Sequence, residues 1–255
     1  MILLYDNIAD AASIEAGYTD PLYPTSNLKK DNKSLVWRST RLTDTLTVFN
    51  LVGNIDTVIL AFTNMTSGTL DSTTIVGAVD AVFQLDITSP GTNDSNLLTG
   101  VYKYSLGNTI YAVCYFSPVV TPILQITISS NQPVEVSRLI IGESWHHKFH
   151  MATGFEVGVV DSSQTSRTFA GNSVTDQGTR HKTLNFSLPY MLIEEMVIFQ
   201  ELQRLNKAMF ISLFPEDADG DKEQAYQIYG KLSSLASIAH PMHTQFTSSI
   251  SLEEV

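Results

Sequence analysis

Tyr23, Trp37, Arg38 and Arg41, near the start of the chain, have the types that could hold a sugar. Aromatic rings offer flat apolar faces, and guanidinium groups offer N–H donors in a fixed fork. Placed at one loop edge, they could stack on a sugar ring and bond its hydroxyls. The competing expectation is that Trp37 is a core residue anchoring a β-sandwich.

The densest histidine cluster is His146-His147-x-x-His150. On a helix such spacing could share a metal, but the flanking residues read as loop or strand, and Glu143 is the nearest carboxylate. Exposed or interface histidines are expected here, with no metal. The run Asp217-x-Asp219-Gly220-Asp221 begins like a calcium loop. Such a loop needs Gly at its sixth place and Glu at its twelfth, where this chain has Lys222 and Ile228. A solvated acidic loop is the expectation. Cys114 is the single cysteine, so no intrachain disulfide can form. It lies in the apolar run Tyr111 to Phe116, where a buried and inert thiol is expected. No phosphate-binding glycine loop, nucleophile elbow or zinc-protease motif is present. No cofactor and no catalytic residue are therefore expected.

The elements that would position these residues are mostly strands. Thr45 to Leu51 and Ile123 to Ile128 alternate polar with apolar, the period of half-buried strands. Thr57 to Phe62 is short, apolar and β-branched, which suits a buried strand. Met1 to Tyr5, Ala81 to Leu85, Tyr111 to Phe116 and Val136 to Ile141 complete the strands of a first domain, 1–142. Asn7 to Pro24 reads as a loop.

A second domain, 143–255, carries strands at Phe155 to Val160, Thr183 to Leu188, Met209 to Phe214, Tyr226 to Leu232 and Phe246 to Leu252. Ser162 to Gly178 reads as polar and turn-rich. The spacing of Leu192, Met196, Phe199, Leu202 and Leu205 predicts one helix over about Tyr190 to Ala208. Glu194 and Glu195 near its start and Arg204 and Lys207 near its end suit the helix dipole. The fold class expected is thus mainly β with an α+β second half: a β-sandwich jelly roll, then a β-rich domain with one long helix.

Composition agrees with this picture. Charged residues make up 16% of the chain and hydrophobic ones 43%, enough apolar material for a packed core. The net charge of −11 repels phosphate backbones, so nucleic acid is not an expected partner. Lys29, Lys30 and Lys33 form the one tight basic run, interrupted by Asp31, and read as a solvated turn. No stretch approaches the roughly 18 apolar residues of a membrane span, and the first residues lack the basic start of a signal peptide. Synthesis in a cytoplasm is the expectation.

The segments Tyr23 to Leu28, Leu35 to Ser39, Leu46 to Leu51 and Val134 to Gly142 together resemble discoidin-like (galactose-binding-like) jelly rolls. The second half is similar to distal tail, or baseplate hub, proteins of long-tailed bacteriophages. Ile140-Ile141-Gly142-Glu143-x-Trp145, Gly154-Phe155, the helix Glu194 to Lys207, Tyr229-Gly230 and the closing Glu254-Val255 carry that resemblance. It implies a virion protein that forms a ring, expected to be a hexamer, between the tail tube protein and other tail-tip proteins. The alternatives are a carbohydrate-binding module that attaches a virion to host-surface glycans, and a cell-wall hydrolase. A hydrolase would need two carboxylates across a groove, and the sequence singles out no pair.

Overall fold

The computed structural model describes residues 1–64, 68–71, 82–88, 97–98, 110–130, 132–148, 154–167, 169, 171–176, 178, 180–215, 225–234, 237–242 and 245–255. Over the described residues the chain is mostly β with one long helix, as its sequence patterning predicts. It divides into two compact units, Met1–His146 with Met209–Gln227, and His147–Ala208 with Ile228–Val255. The sequence reading had a single division at 142/143. Here the chain leaves the first unit, builds most of the second, and returns.

The first unit begins with β1 (Ile2–Leu4), β2 (Ser13–Ala16), β3 (Trp37–Arg38), β4 (Thr43–Phe49) and β5 (Ile55–Thr63). It continues with β6 (Gly68–Asp71), β7 (Val82–Thr88), β8 (Leu97–Leu98), β9 (Ile110–Val119) and β10 (Ile123–Ser129). β11 (Glu135–Val136), β12 (Arg138–Gly142) and β13 (Trp145–His146) follow. One sheet has the order β2-β4-β10-β7-β6-β8, and a second has β12-β5-β9. β10 runs parallel to β7, and the other pairings in these sheets are antiparallel. Alternation dictates the packing. Leu46 pairs with Ile126 and Val48 with Leu124, so all four share one buried face. β5 is buried along its whole length, as a strand covered on both faces must be.

The segment expected as a loop, Asn7 to Pro24, contains β2, whose Ile14 pairs with Val48. β2 is polar at alternate positions and only four residues long, so its periodicity is too brief to stand out.

A buried arginine closes this unit. The side chain of Arg138 is 4% exposed and grips both carboxylate oxygens of Asp10 at 2.6 and 2.8 Å. It also lies 3.2 Å from Asp31 and donates to the Leu28 carbonyl at 3.3 Å. Two surface segments are thereby bound to β12 by one guanidinium fork.

The second unit holds β14 (Glu156–Asp161), β15 (Gln164–Arg167), β16 (Ser173–Asp176), β17 (Arg180–Met191) and the helix α1 (Ile193–Leu205). The chain then makes β18 (Met209–Ser212), which belongs to the first unit, where it pairs antiparallel with β1. Phe210 of β18 sits edge-on to Tyr111, whose ring also meets that of Phe62, each at 5.5 Å. β19 (Gln227–Leu232), β20 (Ile238–Met242) and β21 (Gln245–Glu254) finish the chain.

In the second unit the strand order is β19-β21-β17-β14, with β20 also on β21. Leu184 pairs with Leu252 and Phe186 with Ile250, giving a buried apolar face. α1 contacts β17 and β21 and buries Phe199 and Leu202. The helix is shorter than its periodicity suggests. β17 runs on through Met191, with a bulge at which Tyr190 takes φ 59°, and only then does the helix begin. Leu205, expected in the buried stripe, is exposed, and Glu195 is buried instead. β15 and β16 form a separate hairpin within the stretch expected as turns, and every one of their residues is exposed.

Candidate functional site

The candidate sugar residues lie at one edge of the first unit, with one correction. Trp37 is fully buried, and its indole N–H donates to Thr19 Oγ1 at 3.1 Å. A ring without an exposed face cannot stack on a ligand, so Trp37 anchors the core. The reason is local: β3 pairs with β11, and alternation along β3 turns Trp37 inward and Arg38 outward.

Arg38 is opposite Glu135 in that pair, so the two side chains meet across the strands, Nε to Oε1 at 2.7 Å. The guanidinium also lies 4.0 Å from the centre of the Tyr23 ring. The hydrogen bond to Glu135 pushes its pKa above the ordinary arginine value. Arg41 lies 3.5 Å over the Tyr18 ring. Tyr18 was not singled out in the sequence.

Backbone bonds bring these residues together. Asp20 N–H donates to Arg38 O, Arg38 N–H to Tyr23 O, and Thr40 N–H to Tyr18 O. The turn from Asp20 to Tyr23 has Pro21 as its second residue and a hydrogen bond from Tyr23 N–H to Asp20 O, with Leu22 exposed at its tip. The rim therefore presents two Arg–Tyr stacks, with Leu22 and Leu42 bare beside them. Arg38 spends its fork on Glu135. The guanidinium of Arg41 is exposed and can reach a ligand or partner. Tyrosine, arginine and leucine mixed in this way can form a docking patch as readily as a sugar site.

The histidine cluster resolves differently from the expectation. His146 is exposed, with Nε2 3.0 Å from Ser144 Oγ. His147 is buried, not exposed, with Nδ1 3.0 Å from Glu195 Oε1 and Nε2 3.1 Å from the Pro189 carbonyl. Glu195 also accepts from the backbone N–H groups of Lys148 and Leu192, the latter at the start of α1. Burial alone would raise the pKa of Glu195, but these three donors outweigh it and hold the carboxyl below its ordinary value. The pair is a structural clasp between a loop, a strand end and a helix start. His150 and the acidic run at Asp217 to Asp221 lie outside the described residues.

Cys114 is buried, and burial raises its thiol to about 12. Among the described residues no three His, Cys, Asp or Glu side chains are grouped to hold a metal, and no helix is long and apolar enough to cross a membrane. No known family model matches the chain, and no curated protein matches it either.

Proposed function

We propose that the chain is a structural component of a phage tail tip. On this reading it forms a distal-tail or baseplate ring, expected to be hexameric, between the tail tube protein and the receptor-binding apparatus. One observation supports it above others: the second unit leaves apolar side chains bare on regular elements. Ile193 and Val197 are exposed along α1, Tyr190 at the β17 bulge just before it, and Val157 and Val159 on one face of β14 with Val160 on the other. Apolar side chains left exposed on regular elements are surfaces that contact with another protein would cover. Its place would be the virion, after synthesis in the host cytoplasm, with no nucleic acid and no membrane as partner.

Mass in solution tests this. Sedimentation of the full chain should show a discrete species near six times 28.1 kDa. A chain that remains a monomer at high concentration overturns the reading.

The Arg–Tyr rim favours a second reading, attachment to host-surface glycans through the first unit. It places Arg41 over Tyr18 as the contact, supported by Tyr23 and Arg38. Replacing Arg41 by alanine then weakens glycan binding about tenfold or more, the scale of a lost charged hydrogen bond, without changing the assembled mass. Glycan titrations that show no binding by the unaltered chain remove this reading.

A further inference from the structure

We infer that the β15–β16 hairpin is an assembly arm that docks on the free edge of β14 in a neighbouring copy of this chain. The inference rests on the ring reading and names the surface that closes it. The hairpin is anomalous within its own unit. All eight residues of its two strands are exposed, and Phe169 near its tip is bare. A two-stranded hairpin with no apolar face to cover it is marginal in water, so a partner surface must supply what the chain does not.

The root of the arm, by contrast, is held firmly. Arg180 Nε donates to Asp161 at 2.8 Å, Ser163 N–H donates to the same carboxylate, and Gly178 N–H donates to Ser163 Oγ. Ser163 and Arg180 together hold the Asp161 carboxyl down at about 2. A fixed root and a bare shaft describe a projection. From Ser163 to Phe169 it can reach roughly 20 Å at strand rise, the length of a six-residue strand.

β14 offers the complementary surface. Among the described residues it is the last strand of its sheet, with no described strand on one side of its backbone. Natural edge strands are usually blunted by charged side chains, proline or a bulge. β14 has charges only at its two ends, Glu156 and Asp161; the Val-Gly-Val-Val between them has none of these devices, and its register with β17 is unbroken. Val157 and Val159 stand opposite Leu184 and Lys182, which are both buried. The two valines therefore belong to the core-side face of the sheet, yet Val159 is 54% exposed. Val174 on the arm can cover this row, and the exposed Arg167 near the arm's tip faces a strand that begins with Glu156. Arm and receptor are different patches of one chain. Repeating the contact head to tail therefore generates a ring or a filament, not a two-fold dimer.

Sedimentation of three proteins decides the matter: the unaltered chain, Val159→Glu, and a chain whose residues 164–176 are replaced by a short Gly-Ser linker. Val159→Glu alters one half-exposed side chain, sets a carboxylate rather than a like charge opposite Lys182, and should leave folding intact, which a thermal melt checks. The unaltered chain is expected to assemble, and each variant alone to sediment as a monomer. An equal mixture should recover a dimer, because one variant keeps the receptor and the other keeps the arm. If the unaltered chain is a monomer, the ring reading and this inference both fail. If it assembles and either variant does too, or if the mixture stays monomeric, the arm is wrong while the ring stands.

Discussion

Replacing Arg138 with alanine is expected to destabilise the first unit by about 2–4 kcal/mol, from the space its buried side chain fills and the hydrogen bonds it donates. The guanidinium is almost wholly buried, whereas the Asp10 carboxylate it grips is about half exposed, so the loss lies on the arginine side of the pair. Removing it leaves the Leu28 carbonyl short of a donor and empties the space that the side chain fills. Lysine at the same position keeps the charge but loses the planar fork, and should recover only part of the stability. Arg38 makes a comparable contact with Glu135, but about a third of its side chain is open to solvent. Water compensates there, and Arg38→Ala should cost far less. Denaturant unfolding of the three variants, followed by Trp37 fluorescence in the first unit's core, checks the order. Equal losses for Arg138→Ala and Arg38→Ala would refute the argument from burial.

The second large effect is a dependence on alkaline pH set by Lys182. This lysine is 2% exposed on the core-side face of β17. Burial lowers its pKa to about 8 from 10.5, and the nearby Glu254 carboxylate opposes that shift only in part. Below pH 8 the folded and unfolded chains both hold the proton, and the buried charge weighs fully against folding. Between 8 and 10.5 the unfolded chain still holds a proton that the folded chain has released, so stability rises with pH. The gap corresponds to roughly 3 kcal/mol over that window.

Cys114 acts in the opposite sense. Its folded value of about 12 exceeds the ordinary 9.0, so it favours unfolding of the first unit as pH rises from 9 to 12. The comparison must therefore be between the unaltered chain and Lys182→Met, in which the cysteine contribution cancels. Chemical unfolding at pH 7.5, 9 and 10.5, monitored by exchange of amides in β17 and β21, should show the rise in the first protein and not in the second. Parallel pH profiles would show that Lys182 titrates as a solvated side chain.

Much of the secondary structure was legible because strand signals are local. Alternation in Ile123 to Ile128 and the β-branched run from Thr57 lie within β10 and β5, and the alternating run Thr45 to Leu51 overlaps β4 up to Phe49. The helix showed itself by spacing, but its start did not. The bulge at Tyr190 depends on pairing between β17 and β21, which no window of helix periodicity contains.

The candidate site was only half legible. Tyr23, Arg38 and Arg41 reach the rim, but Trp37 turns inward because of its strand partner, and Tyr18 enters through the backbone bond from Thr40 and the bridge between Thr19 and Ser39. In the sequence Glu195 reads, with Glu194, as a first-turn acid suited to the helix dipole. It is buried because His147, 48 positions earlier in the chain, is packed against it.

Taken alone, the order of amino acids determined that this protein is built of many short strands with one amphipathic helix. Apolar spacing is written into neighbouring residues and needs no partner to be read. Which strands lie side by side was decided by tertiary structure. So were the return of Met209–Gln227 to the first unit and the 128-position span from Arg138 to Asp10. Those outcomes come from a choice among distant pairings, and their energies are set by burial and register that exist only once the whole chain has folded.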